Sequence, residues 1–121
     1  MPKWVNTSVL DAAINQIRSA SSISVTNTQP TTGTEASTTY KLAFTVASLA
    51  AVAAGDAGGN SRKLVVNAHS NVTVDATGSA GHVALYTGST LYYVTTCTTQ
   101  LISSGNTVTI PTWKIEFADP T

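Results

Sequence analysis

Apolar positions near the N-terminus recur at helical spacing. Leu10, Ala13, Ile14 and Ile17 fall on one stripe, with Asp11, Asn15, Gln16 and Arg18 opposite. Ser8-Val9-Leu10-Asp11 has the form of a capping box: the Ser8 hydroxyl accepts from the amide three residues on, and the Asp11 carboxylate answers back. The pattern predicts one amphipathic helix over 8–20, preceded by a short arm, 1–7. A helix this short is marginal in water by itself, so it must lie on a sheet or on a partner.

Beyond residue 20 the period changes to two. Ile23 and Val25 alternate with polar neighbours, then Gln29-Pro30-Thr31-Thr32-Gly33 breaks the chain. Tyr40, Leu42, Phe44 and Val46 alternate again and predict a half-buried strand. Ala47 to Asn60 is rich in Ala and Gly and reads as a short strand with a wide loop, or as a loop alone. Lys63 to Asn67, followed by Val72 and Val74, reads as a strand and its return, with Asn71 near the turn. Asp75 to Gly81 has turn composition. Ser103-Ser104-Gly105-Asn106 turns the chain into 107–110, Pro111 interrupts, and Trp113, Ile115 and Phe117 alternate with Lys114 and Glu116 as the last strand. Short strands at close spacing after one helix predict a mainly β fold. We expect an antiparallel β-sandwich or open barrel with one N-terminal α-helix, a single domain over 1–121.

The stretch HVALYTGSTLYYVTTCTTQ, from His82 to Gln100, holds one of two histidines, the one cysteine and three of four tyrosines. A Gly in the first central position suits a type II′ hairpin turn at Gly88-Ser89. Thr87 then faces Thr90, Leu85 faces Tyr92 and Val83 faces Val94. The other face carries His82, Ala84, Tyr86, Leu91, Tyr93, Thr95 and Cys97. Both faces are apolar, so we expect cover on both sides, one from the domain core and one from the helix or another subunit. In this register His82 lies opposite Thr95, with Cys97 a diagonal neighbour about 7–8 Å away at the backbone. A nucleophile and its base need contact near 3 Å and a third group to orient the base, and no Asp or Glu occurs in the stretch. It reads as architecture rather than as a Cys/His active site.

Composition narrows the function classes. Only 10% of residues are charged, against about 25% in an average domain, and the 6 basic residues balance the 6 acidic ones. With no basic cluster there is no electrostatic footprint for nucleic acid or an anionic membrane. Polarity comes from 21 Thr and 13 Ser, which suit either pleated surface that packs against other protein or a soluble all-β domain with a quiet surface. A lone Cys97 forms no internal disulfide, and the N-terminus has no apolar signal core, so we expect a protein used without secretion through a cleaved signal.

Two histidines and scattered carboxylates have no metal-ligand spacing, and Gly55-Asp56-Ala57-Gly58-Gly59-Asn60 matches neither a phosphate loop nor a calcium loop. No catalytic residue, cofactor or metal is therefore expected. Trp4, Tyr86, Tyr92, Tyr93 and Trp113 are the candidate interaction residues, since strand aromatics serve cores and interfaces more often than sugar platforms.

The opening helix Val9-Leu10-Asp11-Ala12-Ala13-Ile14-Asn15, the strand and turn from Ile23-Ser24-Val25 to Gln29-Pro30, and the C-terminal block resemble a family of small tailed-bacteriophage virion proteins over nearly the full length. The block reads HVALYTGSTLYYVTTC, then SSGNTVTIPTWKIEFADPT. In phage structural proteins it recurs as H-x-A-L-y-d-g, then L-l-y, then G-(D/N)-T-(V/l)-x-(I/f)-P. The resemblance implies a non-enzymatic virion component, assembled in the host cytoplasm, in a family of head-decoration, head-fibre or tail-associated proteins; we expect a capsid decoration (cement) protein. It also implies the major capsid protein and other copies of itself as partners, with a homotrimer or another homo-oligomer expected. A tail- or fibre-associated receptor-binding or adaptor module is the alternative. Met1 to Thr7, with Trp4 ahead of the helix, is the expected arm contacting a neighbour.

Overall fold

The computed structural model describes residues 5–56 and 59–117; Trp4 and most of the expected arm lie outside the described residues. The predicted helix is present as α1, Thr7–Arg18. Its cap differs from the predicted one. Asn6, in extended conformation, accepts from the Ser8 amide at 2.8 Å and the Ser8 hydroxyl at 2.7 Å. Asn is as good a cap as Ser, and this placement frees Asp11 to accept from Arg62 Nε at 2.7 Å. Of the predicted stripe, Ile14 and Ile17 are buried while Ala13 is exposed.

The strands that follow are β1 Ser22–Thr26, β2 Lys41–Val46, β3 Ala53–Ala54, β4 Arg62–Val66, β5 His69–Thr73, β6 Gly78–Thr87, β7 Thr90–Ile102, β8 Thr107–Ile110 and β9 Trp113–Phe117. The fold is mainly β, antiparallel throughout, with the expected N-terminal helix. One layer is a four-stranded sheet in the order β2-β1-β6-β7. The opposite layer is built from β3-β4-β9 and β5-β8. Those two pieces are one ribbon. Val66 pairs with Trp113 and His69 with Ile110, so the register continues unchanged across a gap where Pro111 has no N–H to give. The predicted return of β4 onto β5 is therefore corrected: β5 continues β4 and pairs with β8, and Asn71, with φ of 58°, marks an irregularity inside β5.

The layers are sewn together along one side. Ala43 bridges to Val74, and Leu42's carbonyl accepts from the amides of Asp75 at 2.7 Å and Ala76 at 3.2 Å. Between the layers lies a continuous core that includes Ile14, Ile23, Leu42, Leu64, Val66, Leu85, Ile110 and Ile115. Burying each such side chain is worth about 1.5–3 kcal/mol. Strand β2 departs from its prediction. Leu42 is buried, but Phe44 is 47% and Val46 76% exposed, because β2 is an outer strand whose end runs past the covering layer. The Lys41 ammonium sits 4.4 Å from the Phe44 ring centroid.

The turn expected at 29–33 instead leads into a π-helical turn, Glu35–Thr39. Thr32 Oγ1 accepts from the Glu35 amide at 3.1 Å, and the Glu35 carboxylate accepts from the amide and hydroxyl of Thr31, both at 2.8 Å. Those bonds favour the charged form and lower the Glu35 pKa. The turn buries Ala36 against Ala84 and Tyr86, with Leu91 and Val94 beside them. It supplies the second cover of the β6–β7 hairpin, where the helix or another subunit was expected.

Candidate functional site

The hairpin forms where predicted. Thr87 pairs with Thr90, and Gly88 has φ of 56°. Its register is corrected one pair further on. An irregularity between Leu85 and Tyr86 places Tyr86 opposite Leu91 and Leu85 opposite Tyr93, so Tyr92 is the extra residue. Val83 then faces Thr95 rather than Val94, and His82 faces Thr96 rather than Thr95. A second irregularity sets the single residue Gly81 against Cys97, Thr98 and Thr99.

These two irregularities disperse the predicted aromatic set. Tyr86 is 5% exposed, packed on the Ala36 side of the sheet, and burial raises its pKa against a hydrogen bond from Ser22. Tyr92, Tyr93 and Trp113 are half-buried against the main core on the other side. Tyr93 and Trp113 meet across the layers with ring centroids 6.0 Å apart and planes tilted by 31°. They act as a brace between β7 and β9. Trp113 Nε1 and His82 Nδ1 are buried without a hydrogen-bond partner.

Beyond that brace the two layers part. No strand pairs with the outer edge of β7 among the described residues. Between it and the run from β8 through Pro111 into β9 lie two adjoining depressions of about 340 Å³ and 270 Å³. They share Val83, Cys97, Ile110 and Pro111 as walls. The β7 side is uncharged: Thr96, Cys97, Thr98, Thr99, Gln100 and Leu101 are all exposed, Leu101 by 70%. The sandwich is thus closed along β2–β5 and open along β7.

The groove offers little to chemistry. Cys97 lines it and His82 does not, and no hydrogen bond joins the two. Desolvation by the groove walls pushes the Cys97 thiol pKa up, the direction opposite to an activated thiolate. Among the described residues no three His, Cys, Asp or Glu side chains gather to hold a metal ion, and no helix is long and apolar enough to cross a membrane.

Lys114 lines the second depression, but its ammonium is engaged by Asp56 and Glu116. Asp56 accepts from Lys63 at 2.8 Å and Lys114 at 2.6 Å, and those ammonium groups lower its pKa to about 2. Sequence reasoning missed the groove itself. Its signal was present in the 13-residue run from Thr90 to Ile102, which has no charge and no proline. Comparison with protein-family models, with curated proteins and with solved structures finds no match.

Proposed function

We propose that this chain is a structural component of a tailed-bacteriophage virion, a decoration protein that binds the major capsid protein and stabilises the assembled shell. The observation that carries the reading is the long β7 edge, uncharged and exposed over 96–101. Outer strands of freestanding proteins are normally blunted with charge, proline, bulges or a cover, because unpaired N–H and C=O groups recruit other chains; β7 has bulges but neither charge nor proline. An edge left open and neutral is built to be covered. The exposed Phe44 and Val46 on the opposite outer strand, β2, add a second apolar contact surface. The sequence resemblance points the same way, and a protein that binds only the assembled shell stabilises it by mass action.

A fibre-tip module would display its aromatic side chains together for glycan. With Tyr86 buried on one face of the hairpin and Tyr93 braced to Trp113 on the other, no such platform forms among the described residues. The decoration reading is therefore favoured over the fibre reading. Co-sedimentation with isolated capsid shells tests it. Full-length protein should pellet with shells and saturate, and protein lacking residues 1–4 should bind at least several-fold more weakly. Failure of the full-length chain to bind shells at micromolar concentration would overturn the proposal.

A further inference from the structure

We infer that the outer edge of β7 pairs antiparallel with the same edge of a second copy of this chain, about a two-fold axis near Thr96–Thr99. The inference rests on the reading of this chain as an assembly protein and names the partner of its open edge.

Three features of the edge lead to it. First, β7 is 13 residues long and terminal in its sheet, so one side of its backbone has no ladder among the described residues. Second, Cys97, Thr98 and Thr99 face only Gly81, so the bulge also leaves backbone groups on the inner side short of partners in β6. Third, the facing wall cannot close the gap from within. Its ladder has a gap at Pro111, which has no N–H, and its next stretch carries Lys114, committed to Asp56 at 2.6 Å and Glu116 at 3.0 Å.

Charge and symmetry select the occupant. A strand bearing a charge would bring it beside an edge that holds no counter-charge, which disfavours charged partners. A second β7 carries none, and the whole chain has a formal net charge of 0, so two copies approach without repulsion. Antiparallel pairing near the strand's middle sets threonines against threonines, a pairing that hydroxyl hydrogen bonds support. It also covers both open edges at once. Pairing β7 with a different edge would leave one β7 free and propagate. The product is a closed dimer with a continuous eight-stranded sheet, the alternative to the trimer that the resemblance implies.

Cys97 reports on the geometry. With the axis anywhere between Thr96 and Thr99, the two Cys97 residues lie within about 15 Å of each other. The test is sedimentation equilibrium of the full-length protein, alongside cross-linking through Cys97 with a short bismaleimide. Wild type should sediment at twice its 12.5 kDa mass and give a covalent dimer. Thr98→Lys, at an exposed position, should raise the dimer dissociation constant at least tenfold and abolish the cross-link, with the circular dichroism spectrum unchanged. A wild type that stays monomeric up to high micromolar concentration overturns the inference. So does an oligomer that survives Thr98→Lys without a Cys97 cross-link. Monomeric protein that still binds shells would sink the pairing and leave the virion role standing; a β7-paired dimer that never binds shells would do the reverse.

Discussion

At His69 the ring is 7% exposed and its Nε2 accepts from the Ser48 amide at 3.0 Å. The neutral tautomer must therefore carry its proton on Nδ1, which has no acceptor at hydrogen-bonding geometry. Burial lowers the pKa, offset in part by the Asn67 backbone. The folded state then binds fewer protons than the unfolded chain, where a histidine titrates near 6.5. Stability is complete above about 6.5 and declines as pH falls from there toward the depressed folded value. The expected outcome is a melting temperature that drops as the pH falls below about 6.5, with the drop reduced in His69→Gln, which retains an acceptor for Ser48. Melting curves of both proteins across that range check it; parallel curves would show that His69 is not the group responsible. From the sequence, His69 was one of two histidines without a metal-ligand spacing. Its burial comes from Ser48, 21 residues upstream, a contact that no local pattern encodes.

At the scale of elements, Gly33 joins the π-helical turn to the hairpin. Its amide donates to the Ser89 carbonyl at 3.0 Å. A Cβ there would stand 2.6 Å from both the Gly88 oxygen and the Thr90 nitrogen, which are backbone atoms with little room to move. Gly33→Ala should cost about 1–3 kcal/mol, the usual penalty of overpacking. Gly81→Ala, whose nearest contact would be Thr99 Oγ1 at 3.5 Å, should cost much less. Denaturant midpoints of the two variants make the comparison, and equal losses would contradict the close approach.

The hairpin was legible because Gly88 allows the positive φ that its turn needs. The register beyond it was not, because Tyr92 and Tyr93 are equally suited to the core face and no glycine marks the bulge at Tyr92. The helix was legible from Ile14 and Ile17, although the cap lay at Asn6 and not Ser8. The π-helical turn has a signal in Thr32 and Glu35, three residues apart as in a capping box, but Pro30 and Gly33 beside it carry the opposing signal of chain breakers. Alternation over Leu42, Phe44 and Val46 was present, but alternation alone does not reveal that β2 outruns its cover.

For the whole molecule, low charge and abundant threonine suit surface that packs against other protein, and in the structure residues 96–101 of β7 are uncharged and exposed. Among the terminal strands of the described sheets, β7 is the longest, at 13 residues. A cryo-EM map of the intact particle tests the decoration role most directly. The expected map shows this fold at hundreds of equivalent sites on the capsid surface, with β7 edges covered by protein. A map with no such density on the shell, or with the fold confined to a handful of copies on the tail, would contradict it.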